Sequence, residues 1–169
     1  VTTCPQWDLH LRHNDPMFVG HRFQYPYTPG QPGHEATGII EAVGERVTDL
    51  APGQCVSTWK DPGHGRPGCY AQFVLLKAEH VLPLPADLPI EGRASLELAM
   101  CIGAAILRLK ALHALDGRTV GVSALGPAGL IAVQMARPEG AEHIVGFDPL
   151  KDRCARALDV ARRLGRREA

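Results

Sequence analysis

No C-x-x-C pair occurs among the five cysteines, Cys4, Cys55, Cys69, Cys101 and Cys154. That odd, scattered set argues against a disulfide scaffold and against a zinc ribbon, and favours a reducing, cytoplasmic setting. Net charge is missing as well, since 18 Lys and Arg balance 18 Asp and Glu. Nothing in that balance points to nucleic acid or a membrane surface as a partner. No apolar run is long enough to span a bilayer, and no signal peptide opens the sequence. What is present suits a soluble globular chain: 45% apolar and 21% charged residues in a length of 169. That length supports one domain, or two small ones, with a core.

The stretch from Gly33 to Gly44 organises the rest. A turn-rich run, Pro29 to Gly33, delivers the pair His34-Glu35 to the head of an apolar strand. Neutral imidazole is the commonest protein ligand for a borderline metal, and an adjacent carboxylate orients it or serves as ligand or base. The plainer reading is a strand whose histidine hydrogen-bonds nearby backbone. Gly38 suits a bulge or a close backbone approach, and Gly44 suits a turn with positive φ.

The run Gly33-His34-Glu35-x-x-Gly38, with Gly44, Val47 and Pro52-Gly53-x-x-Val56, resembles the medium-chain dehydrogenase/reductases, the zinc alcohol and polyol dehydrogenase group. The resemblance implies that His34 is a catalytic zinc ligand and that Glu35 sits beside the metal. It also assigns roles near the start of the chain. Family members carry a Cys zinc ligand, then three residues later an Asp that braces the zinc-bound His, and five later a His that relays a proton. Asp8 and His10 match the last two. Pro5 stands where the Cys belongs, so Cys4 takes that role only with a one-residue insertion. Its other reading is a small buried hydrophobe. Trp7 replaces the Ser or Thr whose hydroxyl touches the substrate oxygen in the family, which puts the usual proton relay in question.

Residues 14–32 form a long connection rich in Pro, Gly and aromatics, which either lines a pocket or is tacked to the surface by its rings. Residues 37–43 and 54–59 read as strands about the turn Asp49 to Gly53. Residues 60–68 are a short Gly/Pro loop where many zinc members insert a four-cysteine lobe. Lacking those cysteines, the chain is expected to hold one catalytic zinc and no structural zinc. Gly68 to Val74 and His80 to Pro85 match later family strands and a closing turn. The implied architecture for residues 1–94 is a GroES-like β-barrel catalytic domain of short strands.

Residues 95–112 predict a helix capped by Ser95, with Glu97 in its first turn. It is apolar nearly all round, which predicts burial. In the family this helix joins the two domains, and an acid or Cys near its start completes the zinc site. Glu97 fits the polyol-type pattern and Cys101 is the alternative. Simple stabilisation of the helix dipole is the other role open to Glu97.

A second signature follows. The strand Thr119 to Ser123 leads through Ala124-Leu125-Gly126-Pro127-Ala128-Gly129 into an apolar helix, and a second strand ends at Asp148. This is a dinucleotide fingerprint in its strand-turn-helix-strand context, with Ala124 at the first glycine position. Gly126 admits the pyrophosphate, Gly129 admits close helix–strand packing, and Pro127 and Ala128 open the helix whose N-terminus faces the phosphate. The Ala124 methyl tightens the turn. Asp148 stands where an acid accepts from the adenosine ribose hydroxyls, which favours NAD over NADP. Residues 151–164 predict an amphipathic helix with Cys154, Ala157, Leu158, Ala161 and Leu164 on one face, and Gly165 at C′. Residues 95–169 thus read as the linker helix and the N-terminal half of a Rossmann NAD-binding domain.

The implied function is a zinc-dependent oxidoreductase that moves a hydride between an alcohol or polyol and NAD. Its partners would be a small-molecule alcohol or carbonyl, with a homo-oligomer left open. Two alternatives stand beside it: a zinc-free quinone or enoyl reductase of the same superfamily, and a non-catalytic remnant. The chain opens on Val1, and family chains run to roughly twice its length, so the expectation is a fragment lacking both ends.

Overall fold

The computed structural model describes residues 33–59 and 68–165, together with Leu9 and His13. The chain divides into two compact units, Val1–Glu97 and Leu98–Ala169.

The described part of the first unit is built on a three-stranded antiparallel sheet in the order β1-β2-β3. Strand β1 is Thr37–Ile39, β2 is Cys55–Thr58 and β3 is Val81–Pro83. Register pairs Thr37 with Ser57 and Gly38 with Val56, then Val56 with Pro83 and Thr58 with Val81. The turn between β1 and β2 depends on Gly53, whose φ of +84° lies where side chains are strained. Its N–H donates to the Ile40 carbonyl, and the Gln54 side-chain oxygen accepts from the Ala51 N–H at 2.8 Å. Gly38 and Gly44 do not play the roles expected of them. Neither has positive φ, and a Cβ on either would meet nothing within 4 Å. Both strands are shorter than their apolar runs, and residues 68–77 contain no strand.

A 3-10 turn, Ala78–His80, leads into β3, and helix α1 (Ile90–Ala94) follows. Arg93 binds this corner together. Its guanidinium donates to the Leu88 and Ala86 carbonyls and to Cys55 Sγ at 3.0 Å. Ser95 does not cap the next helix as its position suggested. Its hydroxyl turns back to the Gly92 carbonyl and closes α1.

Helix α2 (Leu96–Ala111) ends in a Schellman arrangement. The Ala114 N–H reaches the Leu109 carbonyl, the His113 N–H reaches that of Lys110, and His113 adopts φ +53°. In the second unit, parallel strands β4 (Thr119–Ser123) and β5 (His143–Phe147) are joined by helix α3 (Pro127–Ala136). Helix α4 (Lys151–Gly165) follows. Such a crossover is what a parallel pair requires. Two apolar clusters hold it. Ile106, Leu115, Ala136 and Ala141 form one, and Val122, Leu125, Val133 and Ala157 form the other. Leu115 is fully buried (0% exposed), and burying such a side chain is worth about 1.5–3 kcal/mol. Helix α2 is not buried all round as its composition predicted. Ile102, Ile106 and Leu109 pack on the core, while Cys101 and Leu107 are exposed. An apolar surface states what can be covered, and here one stripe is. No helix among the described residues is long and apolar enough to cross a membrane.

Candidate functional site

His34 and Glu35 are consecutive, and in a regular strand they would point to opposite faces. They do not, because the chain bends at Glu35 just before β1. Gly33, at φ +91°, starts that bend. A Cβ on Gly33 would press on the Tyr70 ring at 3.1–3.3 Å, and the Gly33 carbonyl accepts from the Cys69 N–H. His34 Nε2 and Glu35 Oε1 lie 3.9 Å apart.

Glu97, in the first turn of α2, joins them. One ligand atom from each of His34, Glu35 and Glu97 lies within 4.8 Å of the other two. All three residues belong to the first unit. Glu35 is 2% exposed and Glu97 6%. Two carboxylate charges at that separation repel by roughly 3 kcal/mol at an effective dielectric constant of 20. A cation among them removes the repulsion and repays their desolvation. The donor set fits zinc, which takes imidazole nitrogen and carboxylate oxygen at about 2.0–2.2 Å. Tetrahedral ligands at that distance stand roughly 3.4 Å apart, so the three side chains need draw in by about an ångström. Of the two residues considered for the helix, Glu97 reaches the cluster, and Cys101 is not among the group. Cys4, Asp8 and His10 lie outside the described residues.

The second unit carries the turn Ala124–Gly129. Its Gly126 is the N-cap of α3, and Pro127 opens the helix. Gly129 tolerates no side chain, for a Cβ would fall 1.9 Å from the Ala124 carbonyl oxygen. Ala124 stands at φ +68°, a conformation that suits glycine. Asp148 closes the turn from the end of β5. Its carboxylate accepts from the Leu125 and Leu150 N–H groups, each at 2.8 Å, and faces Arg153 at 3.4 Å. Its side chain is 1% exposed. The two backbone N–H groups, from Leu150 first and then Leu125, hold its pKa below the ordinary carboxylate value, with Arg153 adding to the effect. The sequence suggested Asp148 as a ribose contact. What the structure shows is the Asp148 carboxylate bracing the turn itself.

The profile of the alcohol dehydrogenase GroES-like domain matches residues 2–86, half of the chain. The chain belongs to that family, among the medium-chain dehydrogenase/reductases. Galactitol 1-phosphate 5-dehydrogenase of Escherichia coli K12 is 30% identical over 156 residues, covering 78% of this chain and 43% of its own. An alcohol dehydrogenase of Geobacillus stearothermophilus is 29% identical over 183 residues, covering 94% and 50%. Among solved structures, the alcohol dehydrogenase of Aeropyrum pernix superposes with a TM-score of 0.70 at 26% identity, covering 96% of this chain and 52% of its own. This family member therefore spans about half the length of the relatives it matches.

Sequence reasoning missed two contributors to the site. Tyr70 packs on Gly33, and Thr58 hydrogen-bonds to the backbone on both sides of Glu35. The available signal for Thr58 was a pair of hydroxyl residues, Ser57-Thr58, inside an otherwise apolar strand.

Proposed function

We propose that the chain carries the metal- and nucleotide-binding parts of a zinc-dependent oxidoreductase acting between an alcohol or polyol and NAD. One observation carries the reading: a histidine and two buried carboxylates converge on a single point. When bound, zinc supplies Lewis-acid polarisation of an alcohol or carbonyl oxygen, and NAD supplies the hydride acceptor. His34, Glu35 and Glu97 would hold the metal, with Cys4 adding a thiolate. Asp8 would fix the His34 tautomer, and His10 would carry a proton from the substrate hydroxyl towards solvent. In the second unit, Gly126, Pro127, Ala128 and Gly129 leave the helix N-terminus open to a pyrophosphate. The charge of Asp148 disfavours a 2′-phosphate and so favours NAD. In this reading residues 1–94 are the GroES-like catalytic domain with its barrel strands. Residues 95–169 are the linker helix and first half of a Rossmann domain.

Zinc per folded chain, measured by elemental analysis on wild type and His34→Ala, tests the reading. About one zinc in the wild type, lost in the variant, is the expected result. No zinc in a folded wild type would remove the metal chemistry.

A further inference from the structure

We infer that Thr58 is a positioning residue for the metal centre, holding His34 and Glu35 on the same side of the chain; this rests on the metal reading above. Antiparallel register carries Thr58 opposite Ala36, the residue just before β1. The Thr58 N–H donates to the Ala36 carbonyl at 2.9 Å, as a ladder requires. The reciprocal bond is different. The Ala36 N–H donates to Thr58 Oγ1 at 3.0 Å, and the same hydroxyl donates to the His34 carbonyl at 2.6 Å. One side-chain oxygen thus spans the backbone on both sides of Glu35. Ser57 Oγ adds a longer bond, at 3.3 Å, to the Ala36 carbonyl.

The consequence is geometric. Without the bend, consecutive side chains diverge and only one of His34 and Glu35 faces Glu97. With it, both reach the cluster. Thr58 is 3% exposed, so water does not replace its hydroxyl without rearrangement. A buried hydroxyl is costly unless bonded, and this one is bonded to the segment that bears the donors. Outer-shell partners of this kind change metal affinity about 10–100-fold when removed.

The test uses the whole chain and two metal ions. Zinc affinity is measured by chelator competition, and the visible absorption of bound Co²⁺ reports ligand geometry. Thr58→Val keeps the shape and removes the hydroxyl; Thr58→Ser keeps the hydroxyl. Val56→Ala, on the same strand and face, lowers stability while leaving the 34–36 bonds in place. The expected result is a loss of about tenfold or more in zinc affinity and an altered Co²⁺ spectrum for Thr58→Val. Thr58→Ser should return to within a few-fold of wild type, and Val56→Ala should bind as wild type does. If Thr58→Val does not fold, Thr58→Ala takes its place in the same comparison. Wild-type affinity and spectrum in the hydroxyl-free variant would overturn the inference while leaving the metal reading intact. Failure of the wild type to bind either ion would overturn both.

Discussion

The two units bury different chemistry. Among the described residues, the polar and charged residues buried as a whole are Glu35, Thr37, Ser57, Thr58, His80 and Glu97, all in the first unit, while in the second the Asp148 side chain is covered. Of the buried apolar residues among those described, only Val56 lies in the first unit; Ile106, Leu115, Val122, Leu125, Val133, Ala136, Ala141 and Ala157 belong to the second. The second unit is held by hydrophobic burial, which is non-directional and tolerant of local detail. The described part of the first relies on directional bonds between buried hydroxyls and backbone, and these specify the path of the chain around His34 and Glu35. The convergence of His34, Glu35 and Glu97 accounts for the buried charge in the first unit. Buried carboxylates are tolerated only where polar partners and a counter-charge are arranged around them.

The largest expected effect breaks the apolar side of that comparison. Gly129→Ala drives a methyl against the Ala124 carbonyl oxygen, a backbone atom that cannot swing aside. Overpacking of this kind should cost about 3 kcal/mol or more. Both tryptophans, Trp7 and Trp59, lie in the first unit, so their fluorescence follows it alone. Among the described residues, most of the helix that circular dichroism reads lies in α2, α3 and α4. The variant should lower the urea midpoint seen by dichroism and leave the fluorescence midpoint unchanged. Equal shifts in both signals would show that the units unfold as one body.

Zinc should act on the other side. A metal held by His34, Glu35 and Glu97 stabilises the folded first unit by about 2.7 kcal/mol at a free concentration of 100 times Kd. Thermal unfolding followed by tryptophan fluorescence should rise on adding zinc and fall back with chelator. A zinc effect on dichroism alone would place the metal elsewhere.

How much of this was legible in the sequence differs between the units for the same physical reason. In the second unit the deciding contacts are local: β4, the turn, α3 and β5 follow one another, so Gly126, Pro127, Gly129 and Asp148 could be read in order. In the first unit His34 and Glu97 could be read as candidate metal ligands and Glu35 as the acid beside them, and the structure brings these three together. Thr58 was not, because its bonds to His34 and Ala36 span 24 and 22 residues and exist only in one strand register. Ser95 and α2 failed differently. A serine before a helix and an apolar helical surface each state a capacity, and the neighbours present decide whether it is used.

A smaller effect separates the two units by pH. Asp148 has a folded-state pKa below its unfolded value because the Leu150 and Leu125 N–H groups favour the carboxylate. Its contribution is therefore complete above the unfolded value of about 3.9 and is lost as pH falls through the lower folded value. Dichroism-monitored stability of the second unit should decline below about pH 4. Asp148→Asn should be less stable than wild type at pH 6 and lose less on going to pH 3. An identical pH dependence in the two proteins would mean that the carboxylate charge does not brace the Ala124–Gly129 turn.

The smallest effect comes from two backbone positions of opposite fit. Ala124 holds φ +68° in the second unit, and Gly53 holds φ +84° in the first. An L-residue in the left-handed region is strained by about 1–2 kcal/mol, while glycine adds about 0.5–1 kcal/mol of unfolded-state entropy. Ala124→Gly should therefore stabilise the second unit by about 0.5–1 kcal/mol. Gly53→Ala should destabilise the first by a similar amount, since its Cβ would meet nothing within 4 Å and only the backbone term changes. The pair isolates conformational strain from packing in both units at once. Stabilisation by Ala124→Gly would also show that the alanine at the first glycine position is a strained residue, retained at a turn that the apolar clusters and Asp148 are strong enough to hold closed.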